Sequence, residues 1–309
     1  MIKKHDKIYI AGHTGLVGSA ILRLLKKKKY KKLVTISSKI LDLTDQKKTF
    51  NFLNKEKPKF IFIAAAKVGG IYANNTYKAD FIYQNLSIQN NLIHGAYLAG
   101  VKNLIFLGSS CVYPRNCKQP INEKYLLTNS LEKTNEPYAI AKIAGIKLCE
   151  FYNSQYKTNY KCIMPSNTYG PGDNYNLSTS HFLPALIKKI HQIKIGKEKK
   201  LKLWGTGRAR REFIFVDDLA EACLFFMKKN INLSWINIGT GIDYKIKEIA
   251  KIVMNIIDVK AEIIFDKSKL DGTPRKVLDI KNARKYGWEP KFSLRSGILK
   301  TYDDFIKKN

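Results

Sequence analysis

Lys7-Ile8-Tyr9-Ile10-Ala11-Gly12-His13-Thr14-Gly15-Leu16-Val17-Gly18 decides how the rest of the chain is read. Lys7 to Ala11 is a short apolar strand, and Ser19 to about Lys28 follows as an amphipathic helix. Between them lie three glycines at intervals of three. In a strand–turn–helix setting each glycine has a use. Gly12 permits the tight turn, and Gly15 lets backbone approach a pyrophosphate seated on the helix N-terminus. Gly18 lets helix and strand pack closely. The loop Gly12, His13, Thr14, Gly15, Leu16, Val17 and Gly18 is therefore a candidate dinucleotide site, with the His13 imidazole itself read as structural.

The alternation continues. Lys32–Ile36, Phe60–Ala66, Leu104–Leu107 and Tyr160–Met164 read as strands, with helices expected over 45–54, Tyr83–Ala99 and from Tyr138 onward. Six strand–helix alternations between residues 7 and about 165 predict an α/β fold, a Rossmann-like doubly wound parallel sheet. The Pro/Gly-rich stretch from Pro165 to Gly172 is the expected boundary. Residues 1–165 form the dinucleotide-binding domain, with 213–240 returning to it. Residues 166–212 and 241–309 form a smaller C-terminal substrate-binding α/β domain. Helix is expected over Ser180–Lys194, with further strands at Leu201–Trp204, Phe213–Val216, Trp235–Ile238 and Ala261–Phe265.

Ligands of such sheets bind beyond the carboxyl ends of the strands. The glycine loop, the small residues Ala64-Ala65-Ala66 and the run Leu107-Gly108-Ser109-Ser110-Cys111 all fall there. The second strand ends in Ser37-Ser38-Lys39, with no carboxylate for ribose hydroxyls. Ser38 and Lys39 suit a 2′-phosphate, which favours NADP. Asp42 is placed to meet the adenine edge or to cap a helix, and Asp45 to cap the helix after it. The asparagines Asn74, Asn75, Asn85, Asn90 and Asn91 are read as solvated, without a role.

Composition narrows the class. The chain has 309 residues, 45% of them hydrophobic, enough for one large or two unequal domains and too apolar for disorder. No run approaches a membrane span, and the N-terminus leads directly into the first strand, so the expected location is the cytoplasm. Five cysteines in no CxxC pattern exclude a disulfide framework and a zinc site, and no metal is expected. A formal net charge of +30 points towards polyanions, but the lysines are scattered and accompany an excess of Ile, Asn and Tyr, as an AT-rich genome writes them. No nucleic-acid partner is expected.

Chemistry gathers at Tyr138-Ala139-Ile140-Ala141-Lys142. Four residues apart on a helix opened by Pro137, Tyr138 and Lys142 share a face. An ammonium one turn away favours the phenolate and lowers the tyrosine pKa, giving an acid for a carbonyl oxygen. Ser109, at a strand end, supplies a hydroxyl for the same oxygen. A Ser/Tyr/Lys set beside a dinucleotide loop is a toolkit for moving hydride to or from a carbonyl.

These residues, with Ala64–Asn85 (AAAKVGGIYANNTYKADFIYQN), Leu107–Pro114 (LGSSCVYP) and Thr134–Glu150, resemble the extended short-chain dehydrogenase/reductase family. Met164–Pro171, Ser180-His181, Arg211–Asp218 and Asp271–Lys276 (DGTPRK) narrow the resemblance to the branch that epimerises and reduces GDP-4-keto-6-deoxy-D-mannose. It covers nearly the whole chain. It implies that Cys111 and His181 are the acid/base pair for epimerisation at carbons 3 and 5. NADPH then reduces the ketone at carbon 4, and one oxyanion site of Ser109 and Tyr138 serves all three steps. Lys142 would hold the nicotinamide ribose. Leu107, Gly108, Ser109, Ser110, Pro165, Ser166, Asn167, Thr168 and His181 would border the cofactor. Lys189, Trp204, Arg211 and Asp271 would bind the GDP-sugar, and a homodimer is expected. Thr14 and Ser38 stand where better-known bacterial members carry arginines for the 2′-phosphate, which leaves Lys39 as the substitute.

Overall fold

The computed structural model describes residues 2–269 and 271–308. Apolar runs too short for helices become the strands of a central sheet, and amphipathic stretches between them cover its faces. In chain order these elements are β1 (Lys7–Ala11), α1 (Leu16–Lys27), β2 (Lys32–Val34), α2 (Gln46–Glu56), β3 (Phe60–Ile63), α3 (Ile71–Thr76), α4 (Lys78–Leu98), β4 (Asn103–Leu107), α5 (Glu136–Tyr156) and β5 (Asn159–Pro165). The second part runs β6 (Asn167–Tyr169), α6 (Phe182–Lys194), β7 (Lys200–Trp204), β8 (Arg210–Phe215), α7 (Val216–Lys228), β9 (Trp235–Ile238), β10 (Asp243–Lys245), α8 (Ile246–Ile257), β11 (Glu262–Asp266), β12 (Arg275–Lys276), α9 (Lys281–Lys285) and α10 (Leu294–Lys308).

The main sheet is parallel throughout, in the order β2-β1-β3-β4-β5-β9. The chain leaves β1 to one side for β2 and returns on the other for β3. The switch point, where ligands of open sheets sit, is thus the crevice at the ends of β1 and β3. Five strands, not six, precede residue 165; the sixth place is filled by β9, seventy residues later. A second sheet joins β6, β10 and β12 to β8, and β7 pairs with β11.

Two apolar cores follow these layers. The larger holds Ile8, Ile10, Phe62, Phe106 and Ile163; the smaller holds Leu186, Leu201, Phe213, Phe215, Val253 and Phe305. On β8, Phe213 and Phe215 lie in the smaller core while Ile214 between them lies in the larger, so the strand borders both, and from Val216 the chain packs in the larger core. Leu278, Ile280, Ala283 and Trp288 also lie in the larger core, a further return that the sequence reading lacked. Glu212 couples the parts. Fully buried on β8, its carboxylate accepts from the amides of Thr240, Gly241 and Leu278 at 2.5, 2.7 and 2.7 Å, while burial pushes its pKa up to about 7.

The asparagines correct the sequence reading most plainly. Asn75 and Asn90 are exposed, as expected, but Asn74, Asn85 and Asn91 are buried. Asn85 holds both backbone groups of Lys67 at 3.0 Å, Asn74 holds the Gly69 carbonyl at 2.7 Å, and Asn91 holds those of Leu43 and Thr44. They satisfy irregular backbone that follows β3 and precedes α2, where no strand or helix can. Helix α4 accordingly starts at Lys78 rather than near Tyr83.

Candidate active site

Backbone geometry builds the phosphate end first. Gly12 adopts φ +81°, and a Cβ there would meet the Ala65 nitrogen at 2.6 Å. A side chain at Gly18 would collide with the Gly12 carbonyl. Gly15, by contrast, would meet only that carbonyl oxygen, at 3.5 Å, and its other side is open. Gly15 is also the N-cap of α1, and no side chain caps it, so the first amides of the helix remain available as donors. A loop pinned at Gly12 and Gly18 and open at Gly15, ahead of an uncapped helix, fits a dinucleotide pyrophosphate. Thr14, Ser38 and Lys39 are exposed at its rim. Asp42 folds back on Thr44, accepting from its amide at 2.9 Å and its hydroxyl at 2.8 Å, and Asp45 caps α2 through the Lys48 amide. Both carboxylates are engaged locally.

The strand end of β4 carries the next group. Gly108 donates to the Ile163 carbonyl at 2.9 Å, and a Cβ there would strike Met164. The chain then turns: Ser109 caps a single 3-10 turn over Ser110–Val112, its hydroxyl accepting from the Cys111 amide at 3.2 Å. Ser110 is buried. That turn swings Ser109 and Cys111 towards the N-terminal end of α5, where Tyr138 and Lys142 stand.

Here an expectation needs correction. Burial raises the Tyr138 phenol above its ordinary pKa, the nearby Cys111 adds to this, and the Ser109 hydroxyl offsets part of it. Lys142 does not pull it down. Its side chain is only 3% exposed, its ammonium donates to the Leu107 carbonyl at 2.8 Å, and it lies 4.6 Å from the Phe106 ring centroid but 5.8 Å from that of Tyr138. Burial depresses Lys142 itself to about 8. One helical turn aligns the two side chains, but desolvation outweighs their attraction.

Two donors approach the Cys111 sulfur. Asn135, in the turn before α5, donates from Nδ2 to the Cys111 sulfur at 3.3 Å, and Lys276 on β12 approaches the same sulfur at 3.6 Å. The Asn135 Oδ1 is buried without a hydrogen-bond partner among the described residues. Neither residue was singled out from sequence, although both lie in motifs quoted there. Cys117, Cys149, Cys162 and Cys223 are also free thiols.

His181 is the N-cap of α6 and does not cap it with its side chain. The residue is exposed, and partial desolvation lowers its imidazole pKa. Gly70 fixes the segment before it: the Gly70 amide donates to Thr179 at 3.1 Å, and a Cβ on Gly70 would meet the Ser180 carbonyl at 2.6 Å. The remaining histidines named as structural behave so where contacts exist: His94 bonds the Tyr152 hydroxyl and His191 that of Tyr302. Among the described residues the His13 Nδ1 and the Ser166 hydroxyl are buried without partners, one at the glycine loop and one at the β5 end. Pro165, Asn167 and Thr168 form the crossing between sheets, Asn167 donating to the Glu212 carbonyl at 2.7 Å.

Four residues predicted for the GDP-sugar lie in the second part and are linked. Arg211 donates to the Asp271 carbonyl at 3.0 Å, and burial lowers its pKa. The Asp271 carboxylate accepts from the Thr206 amide and hydroxyl at 2.8 and 2.7 Å, so it is already holding the Gly205–Gly207 turn. Lys189 donates to the Lys202 carbonyl at 2.9 Å, two residues before Trp204. Trp204 is 49% exposed, which removes core packing as its role. Gly272 approaches both Arg211 and Ile71, bringing this loop over α3.

Comparison with known proteins agrees with this geometry. GDP-L-fucose synthase 1 of Arabidopsis thaliana is 50% identical over 307 residues, covering 99% of this chain and 95% of the relative. A crystal structure of a GDP-6-OMe-4-keto-L-xylo-heptose reductase from C. jejuni superposes with a TM-score of 0.95 at 37% identity, covering 100% of this chain and 99% of that one. A GDP-L-fucose synthetase from Naegleria fowleri bound to NADP gives 0.90 at 26% identity, covering 100% and 96%. The sequence profile of the NAD dependent epimerase/dehydratase family matches residues 8–239, from the first residues of β1 through β9. A glycine loop at the switch point of a parallel sheet, with Tyr138 and Lys142 beyond its strand ends, therefore has its counterpart in sequence: the chain belongs to the NAD dependent epimerase/dehydratase family.

Proposed function

We propose that this protein makes GDP-L-fucose from GDP-4-keto-6-deoxy-D-mannose, epimerising carbons 3 and 5 and then reducing the carbon-4 ketone. It is an NADP-dependent epimerase and oxidoreductase. The observation that carries the reading is the turn at Ser109, which sets a thiol, Cys111, beside the Ser109/Tyr138 pair. A reductase alone has no use for a proton acceptor there; an enzyme that also moves protons next to the ketone does. Relatives matching along nearly their whole length support it.

The residues divide the work as follows. The ketone acidifies the hydrogens on carbons 3 and 5. Cys111 and His181 act on opposite faces, one removing the proton and the other returning it. In each enolisation the electron pair moves to the ketone oxygen, where Ser109 and Tyr138 donate hydrogen bonds. Tyr138 suits this because its phenol is protonated at neutral pH and burial raises its pKa further. In the last step the same phenol protonates the carbon-4 oxygen. NADPH, when bound, supplies the hydride. The open face of Gly15 and the first turn of α1 would hold its pyrophosphate, Lys142 its ribose, and Ser38 with Lys39 its 2′-phosphate. Arg211 and Lys189 meet the GDP phosphates, and Trp204 offers a flat face to a ring.

A homodimer is supported by large apolar side chains exposed on the paired helices α4 and α5: Tyr83, Leu98, Ile140 and Phe151. A cytoplasmic location accords with five free thiols and with the absence, among the described residues, of a helix long and apolar enough to cross a membrane. No nucleic-acid partner is required by the scattered lysines. The test is direct: purified protein given the GDP-ketosugar oxidises NADPH and yields GDP-L-fucose. Folded protein that leaves NADPH untouched with this substrate contradicts the reading.

A further inference from the structure

We infer that Asn135 and Lys276 are positioning residues for Cys111, holding its sulfur as a proton acceptor at the meeting of the two parts of the fold. The inference rests on the proposed epimerisation. It starts from the two donors aimed at one sulfur, at 3.3 Å from the Asn135 amide and 3.6 Å from the Lys276 ammonium. A thiol accepts hydrogen bonds weakly, whereas a thiolate accepts them strongly, so donors on both sides favour the form that can take a proton.

Each donor is itself held in place. Asn135 closes the 3-10 turn of Lys133–Asn135, whose carboxylate cap, Glu132, is buried and also bonds the Thr134 amide and hydroxyl. Lys276 sits on β12 opposite Arg211 of β8. Its neighbour Arg275 is clamped by Asp243 at 2.7 Å, and Asp243 also takes Arg210 at 2.9 Å. The short strand is therefore riveted to β8 one residue from Lys276. The other charged or titratable neighbours of the sulfur are Arg211 on β8 and Tyr138 on α5. Arg211 is committed to the Asp271 and Arg210 carbonyls, and burial holds Tyr138 protonated. Lys276 is the charged group that reaches the sulfur with a hydrogen bond.

The step balances without a further reactant. The carbon–hydrogen bond next to the ketone breaks, its proton joins the Cys111 sulfur, and the electron pair moves to the ketone oxygen. Lys276 remains a cation throughout and offsets the sulfur's charge before the transfer.

The experiment is alkylation by iodoacetamide of the substrate-free protein over pH 5.5 to 9.5, with the Cys111 peptide quantified by mass spectrometry. Lys276→Met should slow Cys111 alkylation at pH 7 about tenfold. Lys276→Arg should restore most of it. Asn135→Ala should slow Cys111 by about threefold and leave Cys117 unchanged, whereas Lys276→Met alters both, because Cys117 also lies near Lys276. Exchange of solvent hydrogen into carbons 3 and 5 should fall in proportion. Cys111 rates within twofold of the parent in Lys276→Met and Asn135→Ala, with turnover intact, overturn this inference alone. Shifted alkylation in the variants, with the parent protein itself unable to turn over the GDP-ketosugar, supports it and overturns the proposed function instead.

Discussion

The oxygen-facing side of the site, Ser109, Tyr138 and Lys142, is carried by β4 and α5 of one sheet, whereas the proton-transfer side draws on both parts of the fold. Ser109 and Tyr138 are brought together by one 3-10 turn and one helix start, and Lys142 is anchored to the end of the same strand. Cys111 depends on Asn135 from one part and Lys276 from the other, 165 residues away, and His181 follows a segment that is fixed by Gly70. In the proposed division of roles, reduction thus draws on one layer and epimerisation on an assembly of both parts. Disturbance between the parts should reach epimerisation first.

The largest expected effect lies on the oxygen-facing side. Tyr138→Phe removes the acid for the carbon-4 oxygen, and kcat for NADPH oxidation should fall about a thousandfold. Exchange at carbons 3 and 5 should slow less, since Ser109 still supports the enolate. Stopped-flow NADPH absorbance and NMR of the sugar in D2O separate the two. Equal losses would mean that the phenol is not the final acid.

Next is the rivet. Asp243→Asn loosens Arg275 and Arg210 from one another. It should cut hydrogen exchange about tenfold while reducing single-turnover NADPH oxidation of the already epimerised ketosugar by no more than about threefold. A uniform loss would erase the distinction between the two sides.

The buried lysines test what the oxygen-facing side costs. Lys142 and Lys161 are each 3% exposed, and burial depresses each to about 8. Their folded pKa lies below the unfolded one, so between pH 8 and 10.5 the unfolded chain binds more protons and stability rises with pH. Lys142→Met should therefore be more stable than the parent at pH 7, by about 2 kcal/mol after losing its bond to Leu107, and the gap should close towards pH 10.5. It should also lose turnover. Lys161→Met should show the same pH trend in denaturant melts and keep turnover, because Lys161 holds only the Phe226 and Lys229 carbonyls at the end of α7. A stability gap independent of pH would refute the assignment.

Smaller still is the rim. Trp204→Ala should raise KM for the GDP-sugar about fivefold with kcat little changed. Kinetics with varied substrate check it, and an altered kcat alone would place Trp204 elsewhere in the cycle.

The difference between the two sides also explains what the sequence disclosed. The glycine loop, the strand ends and the Tyr138–Lys142 turn are local patterns, and local patterns are written in consecutive residues. The buried asparagines were missed because Asn85 and Asn91 pair with backbone 18 and 48 residues away, and nothing nearby distinguishes them from the exposed Asn90. Lys276 was missed for the same reason, on a strand of two residues with no hydrophobic pattern to announce it. The tyrosine pKa was misjudged because helical spacing reports alignment and says nothing of desolvation, which decides the direction here. The departure and return of the chain around Glu212 depends on β8 pairing with β6, β10 and β12, a non-local arrangement.

The most direct test of a site with two separable sides is hydrogen exchange in D2O with the GDP-ketosugar and no NADPH. The parent protein should place deuterium at carbons 3 and 5. Cys111→Ser and His181→Asn should abolish it, while Lys142→Met, impaired in NADPH oxidation, should retain it within about threefold. Undiminished deuteration in both Cys111→Ser and His181→Asn would contradict the account.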